Sequence, residues 1–166
     1  MRSYMEKRNA ILQLLFSQRR LETSDMARML DMSEEEVQKE IDQLEKDHVI
    51  MGYSAMIDWT KTPFESVKAM IEVSTTPQRD RGFGRIARRI YSYPEVKDCY
   101  LVSGDYDLMV IVVSKNLQSV AQFVSEKIAP IDGVLSTRTH FILQNYKVNG
   151  VTFSVDESDD RETVVL

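Results

Sequence analysis

Asp105 and Asp107 flank Tyr106 in a short polar stretch, Leu101-Val102-Ser103-Gly104-Asp105-Tyr106-Asp107-Leu108, set between two strongly apolar runs. A hairpin tip is well served by Gly and Asp, but two carboxylates around a tyrosine are more than a turn needs. Paired acceptors in so short a loop suit the ammonium group of a small ligand. A zwitterion also needs donors for its carboxylate. Backbone N–H groups around Gly104 and the hydroxyls of Ser136, Thr137 and Thr139 are the candidates. The competing reading is plainer: an Asx-type turn for the two acids, and β-propensity on a solvated strand face for the threonines.

The elements around this loop fall into two rhythms. Residues 5–18 predict a helix, with Ile11, Leu14 and Leu15 on one face. Thr23 is placed to cap a second helix running to about Leu30, with Met26, Ala27 and Leu30 turned inward. After Asp31 and Met32, Ser33 opens a third helix, and Glu36 completes a Ser-x-x-Glu capping box. Val37, Ile41 and Leu44 carry the buried stripe onward. Two short helices and a tight turn behind a leading helix make a helix-turn-helix unit. Val49 to Ile57 reads as a small wing strand, and residues 59–64 as a linker.

From Val67 the order is strand (Val67 to Thr75), helix (Phe83, Ile86, Ile90) and strand (Val96 to Ser103). It continues with strand (Leu108 to Val113), helix (Leu117, Val120, Phe123, Val124, Ile128) and strand (Val134 to Tyr146). This βαββαβ order is the ferredoxin-like plan, an antiparallel sheet with both helices on one face. The predicted fold class is therefore α+β, a winged helix-turn-helix over 1–58 and a ferredoxin-like domain over 65–150. An acidic tail spans 151–166. Met109 to Val113 is apolar on both faces, which a sheet face in water does not favour. A second copy of the same sheet is the simplest cover, so a dimer through sheet faces is expected.

Bulk properties narrow the function classes. The chain has 166 residues and net charge −5. Its one cysteine, Cys99, excludes an intrachain disulfide and a Cys-rich zinc site. The N-terminus lacks a signal-peptide core, and no run approaches the roughly 20 apolar residues of a membrane span. A cytoplasmic protein with no membrane association is expected. His48 and His140 stand in separate halves, so neither a metal site, a cofactor nor a catalytic cluster is assigned.

The two-domain plan is similar to the leucine-responsive regulatory protein / AsnC family, also called feast/famine regulators. The resemblance rests on Cys99 to Leu108 and on Gly133-Val134-Leu135-Ser136-Thr137-Arg138-Thr139, which matches a Gly-Val-x-x-Thr-x-Thr entry into the last strand. Leu44 to Ile50 and Gly52-Tyr53 match more weakly. The resemblance implies a transcription regulator built on homodimers that assemble to tetramers or octamers. It implies an amino-acid or similar effector bound where dimers meet, near Gly104, Asp105, Tyr106, Asp107, Ser136, Thr137 and Thr139. It places the third helix in the major groove of double-stranded DNA, with Ser33, Glu34, Gln38, Lys39, Asp42 and Lys46 as contact residues.

Two departures stand out. From Ser33 to Asp47 there are seven acids and only two bases, Lys39 and Lys46, whereas DNA affinity rests largely on Lys and Arg at phosphates. Glu40 stands where the family carries a basic residue. His48 stands where the family has a helix-ending Gly. The acidic third helix motivates an alternative, a metabolite-sensing or assembly protein whose DNA binding is weakened or lost. Arg79, Arg81, Arg85, Arg88 and Arg89 gather instead before and along the first helix of the second domain. They read as a solvated face or as a stripe that meets an acidic surface.

Overall fold

The computed structural model describes residues 4–17, 20–76 and 83–153. They form two compact units, one ending at Ala55 and one beginning at Met56. The first holds α1 (Tyr4–Phe16), α2 (Thr23–Leu30) and α3 (Glu34–Lys46). Its core is Ile11, Met26, Ala27, Leu30, Val37, Ile41 and Leu44, the apolar stripe predicted from helical spacing.

The helix ends follow from local chemistry. The Glu36 N–H donates to Ser33 Oγ at 3.1 Å, and the Ser33 N–H donates to Glu36 Oε2 at 2.8 Å, closing the capping box. The Ser33 N–H and then the Ser33 hydroxyl, both donating to it, hold the Glu36 carboxyl below its ordinary range. Thr23 does not cap α2: Glu22 holds that position without a side-chain bond, and the Thr23 hydroxyl donates to Gln38 Oε1 at 3.4 Å. His48 has φ 55° just beyond α3, and the Val49 and His48 N–H groups return to the carbonyls of Leu44 and Glu45. This is the Schellman closure, with histidine in a conformation that glycine usually fills. Asp31, φ 54°, ends α2 in the same left-handed region.

The expected wing strand does not form. Residues 51–58 have no regular structure, because a strand is held by its ladder partner and none lies beside this segment among the described residues.

The second unit opens with a 3-10 turn, Trp59–Lys61, in the stretch expected as a linker; the Asp58 carboxylate accepts the Thr60 N–H there. Then come β1 (Val67–Thr75), α4 (Gly84–Tyr91), β2 (Val96–Leu101) and β3 (Leu108–Ser114). α5 (Leu117–Phe123) runs on into a π-turn at Val124–Ile128, and β4 (Val134–Phe141) follows. The sheet is antiparallel in the order β2-β3-β1-β4, the ferredoxin-like arrangement. Ala69, Ile71, Val73, Leu108, Val110 and Val112 face α4 and α5, and pack on Ile86, Ile90, Val120, Phe123 and Ile128. Each of the larger side chains, Ala69 apart, contributes roughly 1.5–3 kcal/mol on burial. Leu117, expected on that stripe, lies exposed in the first turn of α5.

Alternation puts Met109, Ile111 and Val113 on the other sheet face, where they are half-buried. The last strand is shorter than predicted. Its pairing with β1 reaches Ala69↔Phe141, and the partner begins at Val67, so no ladder continues beyond Ile142. A two-residue hairpin follows instead, β5 (Lys147–Val148) and β6 (Val151–Thr152), turned by Asn149-Gly150 with both residues at positive φ. Arg79, Arg81 and the acidic stretch after Phe153 lie outside the described residues.

Candidate functional site

Antiparallel pairing brings the start of β3, the end of β1 and the start of β4 to one end of the sheet. The loop 102–107 sits there. Gly104 has φ 147° with open space where a Cβ would stand, so the backbone conformation, not crowding, calls for glycine.

The two carboxylates of the loop have different surroundings. Asp107 Oδ2 accepts the Thr75 N–H at 2.6 Å and the Thr75 hydroxyl at 3.2 Å, and the Asp107 N–H donates to the Val73 carbonyl at 3.1 Å. Thr75 is buried, so Asp107 satisfies a donor that water does not reach. Asp107 is thus the clamp that closes the loop on β1, a long-range structural role rather than the local Asx-type turn. Asp105 is exposed and makes no hydrogen bond among the described residues. Tyr106 is half-buried between them.

The β4 residues divide by face. Thr137 pairs with Val73 and Thr139 with Ile71, so both share the helix-covered side; Ser136 pairs with Ser74 and points to the opposite face. Ser136 therefore does not join the two threonines in one constellation, because adjacent strand residues alternate. Thr137 stands level with Leu108, where the loop ends, across the intervening strand. Thr139 lies one pleat farther in. Thr76 fastens the entry to β4, its N–H donating to the Gly133 carbonyl at 2.8 Å.

The open sheet face carries a cluster that sequence reasoning missed. His140 Nε2 lies 3.0 Å from Glu72 Oε1, and Arg138 Nη1 lies 3.6 Å from Glu72 Oε2. Only strand register joins residues 68 positions apart, and single-sequence spacing carries no register. No group of three or more His, Cys, Asp or Glu side chains suited to a metal stands together among the described residues.

Several acids of α3 have partners within the unit. Glu40 is buried, with its Oε1 3.6 Å from Arg8 Nη1 of α1, and Asp47 Oδ2 accepts from Arg8 Nη2 at 3.2 Å. Arg8 and Gln43 hold the Asp47 carboxyl below its usual range. Glu45 accepts the Tyr53 hydroxyl at 2.7 Å; desolvation and this bond push the Tyr53 phenol up to about 12. With Glu36 in the capping box, four of the seven acids act inside the unit.

The outward stripe is Glu35, Lys39, Asp42 and Lys46, opposite Val37, Ile41 and Leu44, and its formal charges cancel. Gln38, beside it, donates to Asp42 Oδ1 at 2.7 Å. Ser33 is engaged in the cap, so its hydroxyl is not a free contact group, while Glu34 is exposed in the first turn.

Residues 68–152 match the model of the Lrp/AsnC ligand binding domain. A shorter match over residues 7–54, to the PCI domain, covers less than half the chain and shows no second family. The HTH-type transcriptional regulator YugG of Bacillus subtilis is 45% identical, over 96% of this chain and 96% of that one. LrpA of Pyrococcus abyssi, another HTH-type transcriptional regulator, is 30% identical over 86% of this chain and 98% of its own. Among solved structures, AsnC of Escherichia coli matches 86% of this chain and 93% of its own, with a TM-score of 0.66 at 20% identity. A Neisseria meningitidis transcriptional regulator in complex with L-Met matches 91% and 96%, with a TM-score of 0.67 at 21% identity, a likeness of fold. These relatives are regulators rather than enzymes, and no helix among the described residues is long and apolar enough to cross a membrane. The chain belongs to the Lrp/AsnC family of helix-turn-helix transcriptional regulators.

Proposed function

We propose that the second unit binds an amino acid or a closely related metabolite at the loop Gly104–Asp107, with Asp105 as the acceptor for its ammonium group. The observation that carries this reading is the division of labour in the loop. Asp107 is engaged with Thr75, which leaves Asp105 exposed beside the N–H groups around Gly104. Thr137 and Thr139 supply hydroxyl donors on the helix side of β4, and Tyr106 supplies an apolar wall. The Neisseria relative's complex with L-Met is consistent with a ligand of this class.

DNA binding is assigned to the outward stripe of α3, with Gln38, Lys39, Asp42 and Lys46 at the groove and Glu34 at its edge. The protomers pair through the open sheet face, where Met109, Ile111 and Val113 need a cover. Further assembly to tetramers or octamers brings the effector loops to contacts between dimers. Binding there shifts the assembly and so the spacing of the DNA-binding units.

The test is a gel shift on the upstream region of the protein's own gene across a salt series. Affinity falls with log salt by about 0.9 per neutralised phosphate, and Lys39→Ala and Lys46→Ala each reduce that slope by about 1. Absence of binding even at low salt favours the second reading, a sensing or assembly protein with a disabled helix-turn-helix. The neutral net charge of the α3 stripe is the observation behind it.

A further inference from the structure

A cleft of about 380 Å³ lies between α4 and the π-turn that follows α5, with Pro130 to Asp132 along it. It belongs to neither site above. Ile86 and Ile131 line it with apolar surface, and Arg85, Arg89 and Lys127 bring three cations to it. Glu126 and Asp132 are the carboxylates among its lining residues, so the cleft is net cationic in a chain of net charge −5.

Two of the cations have defined contacts. Arg89 lies over the Tyr93 ring at 5.3 Å from its centroid, and Tyr93 packs edge-on against Phe123 of the core at 5.5 Å. The guanidinium therefore rests on a platform anchored in the core. Arg85 Nη2 lies 3.1 Å from Asp132 Oδ2, and both groups are exposed, 49% and 90%. An exposed pair of this kind is weak and easily exchanged. Gln122 Nε2 donates to Glu126 Oε1 at 2.9 Å, which draws that carboxylate toward α5. The π-turn closes on itself through the Ala129 N–H and the Val124 carbonyl, 2.8 Å apart. Such turns recur at functional sites.

We infer that this cleft is a second ligand site, for a small organic or inorganic dianion: a dicarboxylate or a phosphate monoester with a short apolar body. Arg85 exchanges Asp132 for one acidic group of the ligand, Arg89 and Lys127 hold the other, and Ile131 covers the carbon skeleton. The inference rests on the cleft alone and stands apart from the effector loop.

Calorimetric titration of the full chain at low ionic strength, with succinate, inorganic phosphate and glycine, tests it. Succinate or phosphate binds, and glycine, at the same concentration, does not. Binding of only one of the two names the source class. Arg85→Ala and Arg89→Ala each weaken binding at least tenfold, while Arg88→Ala, an exposed arginine on the same helix outside the cleft, leaves it unchanged. Asp132→Asn tightens binding several-fold, a gain that misfolding does not imitate. The inference is overturned if neither dianion binds, if Arg88→Ala weakens binding as much as Arg85→Ala, or if Asp132→Asn brings no gain.

Discussion

The helical unit and the sheet unit handle surplus acid in different ways. In the helical unit, Glu36, Glu40, Glu45 and Asp47 are turned onto Ser33, Arg8 and Tyr53, and an acid-rich α3 presents a neutral stripe. In the sheet unit the loop carries two acids, and one is tied to buried Thr75 while the other is left to solvent. Composition counts these carboxylates alike. Their partners decide which are structural and which are available to a ligand.

The largest effects come from breaking the helical core that supports α3. Leu44→Ala, at a fully buried position of α3, should cost about 2–5 kcal/mol in denaturant unfolding, since it leaves a cavity between the helices. Next comes the loop. Asp107→Ala strands the buried Thr75 N–H and should cost about 1–3 kcal/mol, whereas Asp105→Ala should stay within about 0.5 kcal/mol. Equal losses in the two variants would erase the distinction between the carboxylates.

An acid titration sharpens the same comparison. Glu36 and Asp47 have folded-state pKa values below their ordinary ones. Their contribution is complete above the unfolded carboxylate range, about 4, and is lost as pH falls through the lowered values. Thermal melting followed from pH 6 to pH 2.5 should therefore decline less steeply in Glu36→Gln than in the parent chain. The smallest effect is at His48. His48→Gly relieves a left-handed residue and should stabilise the helical unit by about 0.5–1 kcal/mol, read as a small rise in midpoint denaturant.

Periodicity carried the fold a long way. The stripes Met26, Ala27, Leu30 and Val37, Ile41, Leu44 are the core of the first unit, and β1 and β3 sit where their apolar runs predict. The Ser33–Glu36 box and the turned residue His48 were legible because they are local. What escaped was whatever depends on register or on distant partners. Arg8 reaches Glu40 and Asp47 across two helices, Glu72 meets His140 across two strands, and β4 stops where β1 offers no further ladder. The wing strand failed for the same reason, since alternation in 49–57 gives no sign of whether a partner strand exists. Within the candidate site, Thr137 and Thr139 share one face of β4, whereas strand alternation separates Ser136 from them and the β1 clamp occupies Asp107.

The most direct test of that division is a thermal-shift screen of the twenty amino acids on the parent chain and on Asp105→Ala. At about 100 times Kd a ligand adds roughly 2.7 kcal/mol, or about 5–10 °C in a chain of this size. The role of Asp105 as ammonium acceptor requires at least one amino acid that shifts the parent by this order and leaves Asp105→Ala unmoved, with the melting temperatures of the two unliganded proteins alike. An amino acid that shifts both proteins equally would contradict it.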